Sequence, residues 1–248
     1  MRFGCQTTTQ SAAPTNVIEN LQHEIDSGAV KLSYDERGGG YLRALLKALK
    51  VPESSQVLVF AADSFQFSLI NPKTPRALYY QDNVALGSVP GGKVLEILTS
   101  DAKGRVAFYT LDTGKADKPR FVQRGGECII CHGFSSRWAS GMMVADADTG
   151  PSGALLNLDT ARPFRLTDDR TPFENRYGGW YVTGQTGAMK HRGNVTLDSA
   201  NPLAVPAGGL NVMSLKGKAE IERYLQPGSD IVSLLTLEHQ SGFVNLIT

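Results

Sequence analysis

A chain of 248 residues can bury a full hydrophobic core without disulfide staples. Its formal net charge of +1, from 25 Lys and Arg against 24 Asp and Glu, argues against a broad electrostatic platform for nucleic acid. Three Cys are too few for a disulfide framework, and no stretch is apolar enough to span a bilayer.

Residues 1–12 are polar and rich in Thr and Gln, which reads as a disordered tail, with 13–248 as a single domain. Asn16-Val-Ile-Glu19 resembles a capping box, Val17, Leu21 and Ile25 recur at helical spacing, and Gly28 closes a first helix. His23 lies off that stripe and reads as solvated. Leu42, Leu45, Leu46 and Leu49 predict a second amphipathic helix, stopped by Pro52.

From Gln56 the period changes. Val57-Leu-Val-Phe60 and the alternating Phe65, Phe67 and Leu69 read as strands. Two hairpins follow: 77–80 with 84–86 about Asp82-Asn83, and 94–99 with 105–111 about Asp101 to Gly104. Between them, Gly87 to Lys93 imitates a phosphate-binding loop, but Val94 stands where Ser or Thr is needed, so Pro90-Gly-Gly92 reads as a turn. Residues 114–119 form a polar loop leading onward.

That loop leads to Cys128-Ile-Ile-Cys131-His132, the string that attaches a c-type haem. The two thiols add across the porphyrin vinyl groups as thioethers, and His132 then lies under the iron as proximal ligand. Zinc would need four ligands, and no second Cys pair exists. A thioredoxin-like thiol pair would need a βαβ setting that is absent from the pattern.

Beyond His132 the chain is rich in Gly, Asp and Pro, as in a segment that wraps a cofactor or elaborates a surface. Within 176–184, Trp180 or Tyr181 is a candidate to line the haem and Arg176 to neutralise a propionate. The plainer alternative is a strand and turn packing its rings in the core. Residues 217–225 suggest a short helix. A longer one, capped by Ser229 or Asp230, carries Val232, Leu235, His239, Phe243 and Leu246 on one face. This apolar pattern is still running at Thr248, as though the domain continued.

The sixth position on the iron decides function. Candidates are Met142, Met143, Met189, Met213, His191 and His239. A Met most simply fills core space. His191 sits in a polar, Gly-rich loop where packing does not explain an imidazole, and functional side chains gather on such loops. His239, alone on an apolar helical face, is the type of residue usually found hydrogen-bonded in a core.

Together with the haem motif, Asn71-Pro-Lys-Thr-Pro-Arg76-Ala-Leu-Tyr-Tyr80, Pro90-Gly-Gly92, Thr171-Pro-Phe-Glu174, Gly178-Gly-Trp-Tyr-Val-Thr-Gly184, His191-x-Gly-Asn194 and Leu237-Glu-His-Gln240 resemble a family of exported bacterial proteins with a single c-type haem motif. The resemblance spans most of the chain from Val51. It implies haem attachment and export, and it favours His191 and His239 over the methionines. The chain departs from that pattern at Thr186, where a His is common.

The expectation is therefore an α+β fold: a mainly antiparallel sheet with flanking helices and a long irregular haem-bearing region. The expected cofactor is one haem c, held by Cys128, Cys131 and His132, with His191 first among distal ligands and a redox partner protein. The alternative is a haem enzyme, peroxidase-like or acting on a small molecule, with His191 as acid–base group; a zinc or thiol-redox module ranks behind. Met1-Arg-Phe-Gly-Cys5 lacks the apolar run of a signal peptide. Haem is attached covalently after export, so the expectation is a periplasmic or otherwise exported protein whose signal lies outside this sequence.

Overall fold

In the computed structural model of the chain, residues 14–37, 39–101, 104–126, 128, 132, 143–156, 165–198 and 211–247 are described. The expectations for residues 1–12, Cys5, Cys131 and Met142 lie outside them.

Helix α1 (Val17–Ser27) starts where Asn16 caps it. The Asn16 side-chain oxygen accepts from the Ile18 and Glu19 N–H groups, while Glu19 reaches back to the Thr15 N–H at 2.7 Å. Gly28, at φ +81°, ends it in the left-handed conformation that glycine adopts at little cost. The buried stripe is Ile18, Leu21 and Ile25, and Val17 faces outward. Helix α2 (Leu42–Ala48) buries Leu42, Leu45 and Leu46 beside it.

Six antiparallel strands follow in chain order across one sheet: β1 (Val57–Val59), β2 (Arg76–Gln81), β3 (Val84–Ser88), β4 (Val94–Ser100), β5 (Val106–Asp112) and β6 (Phe121–Arg124). Both predicted hairpins form, and the turn at 90–92 leads straight into β4, so no helix follows Lys93. One expectation here needs correcting. Phe65, Phe67 and Leu69 are not a strand: the segment turns, passes through a 3-10 turn at Phe67–Leu69 and leaves all three side chains exposed. Residues 121–124 add the edge strand β6 beyond the polar loop.

Because strand residues alternate between faces, the sheet carries two cores. Ala77, Tyr79, Leu86, Leu95, Ile97, Tyr109 and Leu111 pack against α1 and α2. On the β1 side, Val57, Val59 and Tyr80 pack instead against Tyr177, Trp180, Val182 and the C-terminal helix α3 (Ile231–Ile247). The strip 179–183 runs along β1 like a further strand, with Phe60 N–H donating to Gly179 O at 2.8 Å and Tyr181 N–H to Leu58 O at 2.9 Å. A small ribbon, β7 (Val144–Asp146) with β8 (Arg165–Thr167), is tied to this strip: Asp146 and Asp148 pair with Arg165 and Arg192, and Asp146 accepts the Gly178 N–H.

Asp230 caps α3 as expected, its carboxylate accepting from Val232 N–H at 2.8 Å. The buried face of the helix is the reverse of the one read from spacing. Ile231, Leu234, Leu237 and Glu238 point inward, whereas Val232, Phe243 and Leu246 are largely exposed. The helix is apolar nearly all round, so spacing alone did not select the face. Residues 217–225 form only a 3-10 turn, Ile221–Arg223.

Candidate functional site

Cys128 and His132 both carry helical backbone and are half-buried. The His132 imidazole lies on the Phe108 ring of β5, centroids 5.1 Å apart and planes inclined 53°. Phe108 stands on the sheet face opposite α1 and α2, since its neighbours Tyr109 and Leu111 belong to the first core.

From Phe108 a chain of contacts runs outward. Its direct partner across the ladder is Arg124 on β6, and side chains so placed are neighbours on one face. The Arg124 Nε–H donates to Thr110 Oγ1 at 2.9 Å, which keeps the guanidinium on that face. The guanidinium also lies over the Phe65 ring, 5.4 Å from its centroid. Phe65 belongs to the β1–β2 connection, which Gln66 pins over β4 by donating to Val94 O and Glu96 Oε1, both at 3.1 Å. Phe65 and Phe67 are left 52% and 61% exposed, an aromatic ledge over this end of the sheet.

Asp63 lies within the same connection. Protein crowding around it raises its carboxyl above the usual carboxylate range, while Arg76 and, more weakly, His132 draw it back down. Arg76 is itself paired with Glu96 at 3.0 Å.

The other sequence candidates lie elsewhere. Arg176 is buried and pairs with Glu238 at 2.6 Å, donating also to Thr171 O and Asp169 O. Trp180 is a core residue of the strip beside β1, its indole N–H donating to Ala145 O at 2.7 Å. His191 packs edge-on against Phe173, ring centroids 6.1 Å apart, and is only 8% exposed. Packing does explain that imidazole. A Cβ on Gly193 would fall 2.4 Å from Val182 and 3.1 Å from the ring, so only glycine fits beneath it.

His191 Nδ1 accepts the Gly193 N–H at 3.1 Å, which puts the ring proton on Nε2. A ligating histidine normally does the reverse, donating from one nitrogen and binding metal with the other. Burial also lowers the His191 pKa, favouring the neutral ring. His132 lies at the β5 end of the sheet and His191 beside the strip that borders β1. Four strand spacings separate β5 from β1, roughly 19 Å along the sheet. The structure does not bring these two imidazoles together.

His239 stands on the outer face of α3, with Nδ1 3.0 Å from Asp169 Oδ2. Met189 and Met213 are exposed, and Met143 is half-buried just before β7. Among the described residues no group of three His, Cys, Asp or Glu side chains is arranged to hold a metal ion.

The chemistry of a thiol at Cys128, an imidazole at His132 packed on Phe108, and exposed rings at Phe65 and Phe67 is of the kind that would suit a porphyrin. Sequence reading missed Phe65, Phe67, Phe108 and Arg124, because strand register and a turn, not sequence proximity, gather them. No protein-family model, curated protein or solved structure matches the chain.

Proposed function

We propose that this chain is a covalent c-type haem protein, in which an irregular segment bears the haem, and that it carries single electrons in an extracytoplasmic compartment. The observation that supports it most is the Cys128-x-x-Cys131-His132 string, whose His132 ring packs on Phe108 of the sheet. When bound, the haem supplies an iron that accepts and returns one electron.

The chain does the rest. Cys128 and Cys131 tether, and His132 holds the iron through a nitrogen. Phe108 restrains the imidazole plane by packing, and β5, paired on both sides, is a rigid support for that ring. A redox partner protein delivers and removes the electron. Trp180 packs in the second core, Arg176 pairs with Glu238 of α3, and His191 packs on Phe173. No helix among the described residues is long and apolar enough to cross a membrane. Export is proposed because covalent attachment takes place outside the cytoplasm.

Visible spectra of protein secreted with a haem-maturation system test this reading. A low-spin spectrum that carbon monoxide and cyanide leave unchanged is the expected result. Ready binding of either ligand would make the protein a haem enzyme with an open sixth position, and the absence of any haem spectrum would remove the reading.

A further inference from the structure

We infer that the outward face of α3 is the contact between two copies of this chain, which meet as an antiparallel pair of α3 helices about a twofold axis at His239. Haem plays no part in this contact. Val232, Leu235, His239, Phe243 and Leu246 recur at helical spacing along one side of α3. That side faces solvent, with Val232 65%, Phe243 56% and Leu246 85% exposed. No Lys, Arg, Asp or Glu stands on the stripe, and Met213, also exposed, widens it across the groove beside Val232 and Thr236. A single exposed apolar side chain is ordinary, but an uncharged stripe running for about four turns is the composition of an interface.

The order of residues selects a second copy as the occupant. A twofold contact sets residue i against residue j and j against i. About His239, Val232 is set against Leu246, Leu235 against Phe243 and Thr236 against Gly242, so every apolar side chain meets an apolar one. Residues brought to equal height fall on opposite sides of the stripe and interleave instead of colliding. Gly242 fits the same arrangement. Within a helix glycine costs about 1 kcal/mol relative to Ala. A Cβ there would meet nothing within 4 Å among the described residues, so packing inside the chain does not call for glycine. Opposite Thr236 of a second α3, it lets the two helices approach closely.

The stripe is also large enough. Its exposed side chains present on the order of 700 Å² per copy, close to the roughly 800 Å² per partner of a standard protein–protein interface. At its centre, Asp169 lies 3.0 Å from Nδ1 of His239 and fixes the orientation of the ring.

Sedimentation equilibrium of the full chain tests this contact. The expected result is twice the chain mass, falling to the monomer mass only on dilution. Phe243→Asp and Leu235→Lys place charges on the outward face, so the fold is retained, and each is expected to halve the mass at concentrations where the wild type is dimeric. Val122→Asp, at an exposed apolar position on β6, leaves the dimer intact. Mixed in equal amounts, the Phe243→Asp and Leu235→Lys chains are expected to recover a dimer. One of the two 235–243 contacts then joins opposite charges, and the other keeps the wild-type Leu and Phe. Wild-type chain that stays monomeric up to about 100 μM, weaker than association through an interface of this size, overturns the inference. A dimer that both charged variants leave intact overturns it too, and so does a mixture that stays monomeric.

Discussion

The His132 imidazole rests on the ring of Phe108, 5.1 Å between centroids, and that contact joins the haem-type motif to the sheet. Phe108 is 7% exposed, and its cross-strand neighbours are Leu98 and Arg124. Phe108→Ala is expected to destabilise the protein by about 3–5 kcal/mol in urea unfolding, the usual loss for a buried aromatic. A loss below about 1 kcal/mol would mean that the ring supports nothing.

Arg176 and Glu238 form a buried ion pair that also engages the Tyr177 hydroxyl at 3.1 Å, and Tyr177 holds a positive φ of 73°. Glu238→Ala leaves the guanidinium without its counter-charge and is expected to cost about 3–5 kcal/mol. Replacing both partners together, Arg176→Met with Glu238→Leu, recovers much of that loss. Haem content per folded molecule stays at the wild-type level in both. A haem-specific loss with wild-type stability would return Arg176 to the cofactor.

Burial depresses the His191 pKa, so the folded protein holds this ring neutral where the unfolded chain protonates it. The unfolded state then binds more protons, and stability rises with pH. The contribution is complete above the unfolded pKa of about 6.5 and is lost as pH falls toward the folded value, at up to about 1.4 kcal/mol per pH unit. Urea titrations from pH 7.5 downward check this against His191→Gln, which is expected to lose that part of the slope. Identical slopes would refute it.

On α3, Leu234→Ala is expected to cost about 2–5 kcal/mol and Val232→Ala less than about 0.5 kcal/mol, since Leu234 is fully buried and Val232 is 65% exposed. Chemical denaturation of the two variants checks the rotation of the helix. The reverse ranking would show that the face read from spacing is the one that packs.

Much of the fold was legible because local chemistry dictated it. Asn16 and Asp230 cap their helices, Asp82-Asn83 and Pro90-Gly-Gly92 turn the chain, and period-two alternation marks β2 to β5. The rotation of α3 was not legible, because its sequence is apolar on both faces and only Tyr80 and Tyr177 across the second core decide which side packs. His191 misled for a related reason. Its glycine-rich neighbours suggest an open loop, yet the ring packs on Phe173, and a Cβ on Gly193 would collide with both Val182 and the ring. The haem motif is local and was plain, whereas its surroundings are not local: Phe108 and Arg124 meet only through strand register, and Phe65 reaches them through a turn that looked like a strand.

The most direct test of the central claim is intact-mass spectrometry of denatured protein secreted with a haem-maturation system. The account predicts the chain mass plus one haem, lost when Cys128 and Cys131 are both replaced by Ala. The bare chain mass in the wild type would contradict it.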